Sequence, residues 1–389
     1  MNYVFITYYY PPDYGAGSFR AAAFVKIFSK KIRSTDNLHI ITSIPNRYNF
    51  NSKIKKYSKI KNIHFHRIEI NNHKEKILKK TIAGLIYFFK SLYLLFRLKP
   101  NIIISSSARL VSGLIAFIYC QFFKCKYFLD VRDMFSALMQ EMYRKNIFIM
   151  LILKITNFFE NKVLLHSISV NFVSPGFKYF LKMKLKNKTF FTNGYDENYL
   201  NLLKKIKYKK FKKNTVTYAG NIGAGQSIEK FLPKLAKIDN KINYKIIGNG
   251  GKLFELREKI KKCRVKNVDL IKPIKREKVI KALVSSDILL ISLSSYHSLK
   301  YVIPSKIFEY ILYKKPIIAN FKGFIKNYSK KNFDNIFFFD GPKECYEKIK
   351  IIIKNKRKLK YKKNYKIFSR DQIMDKYTDH IIRLVKKNV

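Results

Sequence analysis

The sequence predicts an α/β protein of two doubly wound, parallel-sheet domains, and three observations predict it. Short apolar runs alternate with longer segments of helical period along all 389 residues. Strands alternating with helices pair in parallel and are covered on both faces, so they read as unbroken apolar runs. The length exceeds what one hydrophobic core ordinarily serves, so two domains are expected. Finally, one opening occurs twice: a strand, a Gly-Ala-Gly loop and a helix, first from Val4 to Arg20 and again from Thr215 to Leu232.

In the first half the expected strands are Val4–Tyr10, Leu38–Ser43, Ile63–Ile68, Asn101–Ser105, Lys126–Val131, Ile168–Val173 and Lys188–Thr192. In the second half they are Thr215–Ala219, Tyr244–Gly248, Val268–Ile271, Ile288–Ser292, Pro316–Ala319 and Ile336–Asp340. Two such series imply two Rossmann-like domains. The first is expected over 1–198 and the second over 215–365, joined by a lysine-rich linker of little periodicity at 199–214. From Arg370 to Lys387 apolar residues recur every three or four positions, at Ile373, Tyr377, Ile381 and Leu384. That is a closing helix within 366–389.

A net charge of +55, from 80 Lys and Arg against 25 Asp and Glu, is extreme. AT-rich coding explains much of the lysine but not the scarcity of acids, so an anionic partner surface is expected. Nucleic acid is the competing partner for such charge. No recognition module for it is present, so no nucleic acid is expected. The four cysteines have no paired spacing and read as reduced core thiols of a cytosolic protein. No leader is expected, since strand-like residues begin at Val4. Thr81–Leu98 is apolar but interrupted by Lys90 and Arg97. A buried helix and a helix lying in a membrane surface both suit it better than a spanning one.

The most informative stretch reads IPSKIFEYILYKKPIIA, Ile303–Ala319. Pro304 and Ser305 open a short helix, Lys314-Lys315-Pro316 stops it, and a buried strand follows. Lys306 and Glu309 share a helix face. A lysine at a helix N-terminus suits phosphate, and a carboxylate one turn deeper suits ribose hydroxyls. The combination suggests a nucleotide-sugar site. The two glycine loops, with Gly15 and Gly17 in the first and Gly223 and Gly225 in the second, would let backbone amides approach an anion. They suit the two sides of a cleft sharing one diphosphate, with Arg20 either reaching that phosphate or fixing its loop. Asp133 follows a strand's C-terminal end, where α/β sites assemble. It either orients and deprotonates an acceptor hydroxyl or caps the next helix.

These residues resemble glycosyltransferase family 4, retaining enzymes of the two-Rossmann-domain architecture called GT-B. The likeness covers nearly the whole chain. It rests on YYYPPDYGAGSFR, YFLDVRDMF, FVSPGFKYFL, FTNGYDENYL, YAGNIGAGQSIEKFL, YKIIGNGGKLFELREK and PSKIFEYILYKKPIIA. Within that family the chain is most similar to transferases that build bacterial O-antigen or capsule repeats, of the L-fucosamine transferase type.

The resemblance implies transfer of a sugar, such as an N-acetylated deoxyhexosamine, from a nucleotide donor, with UDP foremost, to a lipid-linked glycan. It places the enzyme on the cytoplasmic face of the bacterial inner membrane, with its last helix returning to the first domain. No enzyme nucleophile is implied, because the leaving phosphate assists acceptor deprotonation. With no Asp-x-Asp motif, no obligatory metal or cofactor is expected.

The site residues implied are Ser305, Lys306 and Glu309, with Gly15, Gly17, Arg20, Gly223, Gly225 and Gln226 around the donor, and Asp133 with Lys306 and Glu309 in catalysis. The chain departs from the family pattern in places. Tyr301 stands where many members carry a second glutamate, and Asn221 and Gln226 stand where they carry Arg and Lys. Arg132 and Asp133 stand where many carry a His. More of the phosphate grip is therefore expected from Lys306 and the loop amides. The competing readings are a nucleotide-sugar epimerase on the same scaffold, which needs no acceptor, and a basic nucleic-acid-binding protein.

Overall fold

The computed structural model describes residues 1–13, 15–45, 62–70, 77–107, 110–144, 146–181, 183–355, 361 and 365–388, with the side chains of all but 77–80 and 388. The chain forms two compact units, Met1–Asn193 with Arg370–Val389, and Gly194–Ser369.

The first unit runs β1 (Asn2–Thr7), α1 (Ala16–Lys31), β2 (Asn37–Ser43), β3 (Ile63–Ile68), α2 (Ile77–Leu98), β4 (Ile102–Ser107), α3 (Leu110–Phe122), β5 (Lys126–Val131), α4 (Phe135–Met142), α5 (Ile147–Leu165), β6 (Ser169–Phe172) and β7 (Lys188–Thr189). The sheet order is β3-β2-β1-β4-β5-β6-β7, and every pairing is parallel. The inner strands β1, β2 and β4 are buried on both faces; each carries a short apolar run, and toward their ends β2 and β4 carry buried Thr42, Ser43, Ser105 and Ser106.

The second unit runs α6 (Glu197–Lys205), β8 (Thr215–Ala219), α7 (Ile228–Ile238), β9 (Asn243–Ile247), α8 (Leu253–Lys262), β10 (Val268–Ile271), α9 (Arg276–Ser285), β11 (Ile288–Ile291), α10 (Lys306–Tyr310), β12 (Ile317–Ala319), α11 (Phe324–Asn332), β13 (Ile336–Phe338) and α12 (Pro342–Lys354). Its sheet is also all parallel, in the order β10-β9-β8-β11-β12-β13. In both sheets the order reverses beside the first strand, so each has a switch point at that strand's C-terminal end.

The last helix, α13 (Arg370–Asn388), packs on α1 in the first unit. Its Met374, Tyr377 and Ile381 join Phe24 and Phe28 in one core. The rim carries ion pairs from Lys26 to Asp371 and from Lys31 to Asp375 and Asp379, each 2.7 Å.

Each of the thirteen runs expected as strands overlaps one, with ends displaced by up to three residues. The expected linker differs more. Its first seven residues, Tyr199–Lys205, are helical. Asp196 caps α6 by accepting from the Asn198 amide at 2.9 Å. Tyr199 is buried in the second unit's core, its hydroxyl bonded to that of Tyr313. The units accordingly divide between Asn193 and Gly194, ahead of the lysine run.

Candidate functional site

Three segments meet at the C-terminal end of β8. The first is the turn that leaves the strand, Gly220–Ser227. Gly220 has φ of +150°, and a Cβ there would collide with Cε and Nζ of Lys306. The Lys306 amine therefore lies directly on the Gly220 backbone. It donates to the Tyr218 hydroxyl at 3.1 Å and sits 4.6 Å from that ring's centroid. Tyr218 in turn donates to the Asn221 carbonyl at 2.6 Å, closing the turn. Tyr310, one turn after Lys306, accepts from the Ala219 amide at 3.0 Å. Burial pushes its hydroxyl pKa upward, so it remains a neutral phenol. Two residues of α10 thus fasten it to the end of β8.

The second segment is the loop after β9. A Cβ on Gly248 would strike the Gly220 carbonyl, so the two backbones are in van der Waals contact. The amides of Gly220 and Ile222 donate to Ile247 and Asn249 at 2.8 and 2.9 Å. A cavity of about 270 Å³ opens beside this loop, lined by Gly248, Asn249, Leu253, Arg257, Leu270 and Pro273 among others. A smaller one of about 120 Å³ lies among Leu293, Ser294, Leu299 and Asn320.

The third segment is α10 itself. It has only five residues and passes into a 3-10 turn at Ile311–Tyr313 before Lys314 adopts φ of +49°. Ile307, Phe308, Tyr310 and Ile311 are buried, so one side of this turn is committed to the core. Ser305 stands at the N-cap in helical conformation and its side chain caps nothing. Glu309 is half-buried, with Oε1 3.5 Å from Arg276 Nη2. Arg276 also pairs with Asp196 at 3.0 Å and lies 4.7 Å over the Tyr199 ring. That fixes the guanidinium and, through it, the carboxylate. Arg276 was not singled out from the sequence, and no local pattern marks it.

Several expected roles change. Arg20 is not a phosphate ligand. It is 2% exposed, and its guanidinium donates twice to Asp130 at 2.8 Å and to the carbonyls of Thr192 and Phe191. A buried charge needs such pairing, and this one is consumed in joining α1 to β5 and to the strand-end segment 191–192. Gln226 does not substitute for a basic phosphate ligand. Its side chain accepts from Asn221 at 2.8 Å, and its amide, like that of Ser227, is held by the Gly223 carbonyl. Those two amides leave the proposed anion cradle. Gly225 would admit a Cβ at ordinary contact distance and Gly223 would meet chiefly the side-chain end of Asn221, whereas Gly220 has positive φ and no room for a Cβ, so Gly220 is the glycine that the second loop requires. Tyr301 packs against the His297 ring, with centroids 5.4 Å apart.

In the first unit Gly15 stands at the N-cap of α1 in extended conformation, and Gly17 is buried. A Cβ on Gly17 would collide with the Arg132 guanidinium, so here too a cation lies on the first glycine loop. Asp133 is exposed. It does not cap α4, whose N-cap residue is Met134. The Ser136 amide instead donates to Glu160 of α5 at 3.3 Å. Burial raises the Glu160 pKa, partly countered by that hydrogen bond. Among the described residues, no group of three or more His, Cys, Asp or Glu is placed to hold a metal ion.

Residues 181–369 match the family model described as "Glycosyl transferases group 1". No protein of curated function matches the sequence significantly. Among solved structures, a sucrose-phosphate synthase from Thermosynechococcus elongatus superposes over 100% of both chains with a TM-score of 0.73 at 11% identity. Anabaena Alr3699/HepE in complex with UDP-glucose covers 100% of this chain and 98% of its own, with a TM-score of 0.64 at 11% identity. An E. coli structure titled "Trehalose-6-phosphate" and bound with UDP-2-fluoro glucose covers 100% of both chains, with a TM-score of 0.65 at 9% identity. The fold of the chain is thus that of the GT-B glycosyltransferases, two Rossmann-like units of parallel sheet, and its second half is similar in sequence to the glycosyl transferases of group 1.

Proposed function

We propose that the protein is a retaining glycosyltransferase that moves a sugar from a UDP-linked donor to a lipid-linked glycan. The observation that carries the reading is the Lys306 amine fastened over Gly220 at the switch point of the second sheet, one turn from Glu309. The group 1 match over the second half supports the reaction class, and the UDP-sugars in two proteins of like fold support UDP as the nucleotide.

On this reading the base enters the cavity walled by Leu253, Leu270 and Pro273, and the ribose hydroxyls donate to Glu309. Arg276 holds that carboxylate in place. Negative charge grows on the diphosphate as the glycosidic bond breaks. Lys306 is already positioned to meet that charge, so no reorganisation is needed at the moment of reaction. The first unit takes the acceptor. Arg132 serves the acceptor's phosphate, and Asp133 orients the attacking hydroxyl, with the leaving phosphate taking its proton. The products fit an O-antigen or capsule repeat, and an N-acetylated deoxyhexosamine is the sugar proposed.

The test is a screen of UDP-sugars by thermal shift, followed by transfer to a membrane extract. A donor that stabilises the protein and appears on lipid supports the reading. Conversion of the donor without any acceptor would instead make the protein an epimerase.

A further inference from the structure

Two helices of the first unit are apolar on both sides. In α2 an inner stripe of Ala83, Tyr87, Ser91 and Leu95 is buried, and the Tyr87 hydroxyl donates to Ile41 at 3.3 Å. Its outer stripe is apolar as well, with Phe89 64%, Tyr93 60% and Phe96 50% exposed. In α5 the inner stripe is Leu153, Glu160, Val163 and Leu164, while Phe148 is 79%, Ile152 62% and Ile155 56% exposed. Helix α3 packs between them, touching both. A soluble helix ordinarily keeps one polar face, and single exposed apolar residues need no explanation, but two full stripes in one layer do.

We infer that α2 and α5 form an in-plane anchor whose outer stripes enter the headgroup region of an anionic lipid bilayer. Charge selects that occupant. Lys90, Arg97, Lys99 and Lys154 are exposed on or beside the two stripes, and the one carboxylate on α2, α3 or α5 is the buried Glu160. A second copy of the chain would bring the same cations into apposition, so self-association through this layer is opposed. Cations also stand beside the aromatic rings, with Arg97 6.0 Å from Tyr93 and Lys162 5.6 Å from Phe158. Aromatic residues with long basic side chains are the composition of a membrane interface, where the stems lie in the apolar layer and the charges reach phosphate.

Thr81–Leu98 is long and apolar enough to cross a membrane by length and composition. Its inner stripe is nevertheless packed on the sheet, so only the outer stripe is available to lipid. The inference rests on these two helices alone and is independent of the proposed donor chemistry.

The chain has no Trp, so Phe148→Trp supplies a single fluorescent reporter on the outer stripe. The protein is mixed with vesicles of phosphatidylcholine alone and with vesicles containing about one-third phosphatidylglycerol. Emission is expected to move to shorter wavelength, and the protein to sediment, with the anionic vesicles only. Phe148→Ser with Ile152→Ser, or Phe89→Ser with Tyr93→Ser, is expected to lower vesicle affinity about tenfold. An unchanged melting temperature, and an unchanged far-ultraviolet circular dichroism spectrum, verify the fold of each variant. Three outcomes would overturn the inference: sedimentation without an emission shift, equal binding by the serine variants, or a concentration-dependent dimer that these variants abolish.

Discussion

The Lys306 amine lies on the Gly220 backbone, so the cation and the glycine are one structural unit although they stand 86 positions apart in the sequence. Replacing Gly220 by Ala acts twice. It strains a backbone at φ of +150° and pushes Lys306 off Tyr218. Gly220→Ala is expected to lower kcat/KM for the donor about a hundredfold. Gly225→Ala, where a Cβ meets nothing closer than 3.8 Å, is expected to leave catalysis within a few-fold of the parent. Steady-state kinetics of the two alanine variants separate the roles of these two glycines within one loop, and equal effects would count against the Lys306 arrangement.

Lys306 and Glu309 are expected to fail differently. In the proposed function Lys306→Met removes charge needed mainly as the bond to phosphate breaks, so kcat is expected to fall about 10²–10³-fold. In the proposed function Glu309→Gln weakens a ribose contact that would be made equally in the ground and transition states. It therefore raises donor KM about tenfold with a smaller effect on kcat. Arg276→Gln frees Glu309 and is expected to act in the same direction, more weakly. A kcat loss from Glu309→Gln as large as that from Lys306→Met would contradict this division.

Arg20 and Asp130 test whether a conspicuous arginine beside a glycine loop is structural. Both are buried and bonded bidentately at 2.8 Å. Arg20→Met leaves Asp130 in the interior with the Asn171 amide as its remaining side-chain donor, at 2.7 Å. The expected loss is about 3–5 kcal/mol of stability by urea unfolding, and the double variant with Asp130→Leu recovers part of it. If Arg20→Met instead left stability intact and weakened donor binding, the phosphate role would be restored.

The pH dependence of stability has a definite sign at the β2–β3 edge. His39 faces His66, nitrogen to nitrogen at 3.1 Å, and stacks on His64 with centroids 4.7 Å apart. Burial, then the charges of His64 and His66, push the His39 pKa down to about 4, and burial, His64 and Arg97 lower that of His66. Below a pH of about 6.5 the unfolded chain takes up protons that the folded edge refuses. This contribution is therefore complete above about pH 6.5 and is lost as pH falls toward 4. Melting temperatures across that window should fall, and His39→Phe should flatten the fall. A slope unchanged in that variant would assign the effect to other groups.

Much of the fold was legible in the sequence because parallel strands buried on both faces leave short apolar runs, as in Ile102–Ile104 and Ile288–Ile291. The repeated glycine loops were legible for the same local reason. Long-range pairing was not. Arg20 finds its partner 110 positions away, and nothing in its neighbours reveals that. Gly220 is required by Lys306, and Gly248 by Gly220, so neither requirement shows in a local motif. The boundary was drawn too late because α6 is short and runs straight into the lysine-rich stretch. Its placement depends on Tyr199 reaching Tyr313, a contact across 114 positions. The outer stripe of α5 was hidden because apolar residues on both sides of a helix look like a core helix until the packing shows which side is covered.

In the proposed function Lys306 and Glu309 hold a UDP-sugar at the end of β8. Isothermal titration of UDP into the parent protein, Lys306→Met and Glu309→Gln tests it most directly. One site per chain is expected in the parent, and an affinity at least about tenfold lower in each variant, with melting temperatures in the absence of ligand unchanged. Equal affinity in all three proteins, or no binding by the parent, would contradict it.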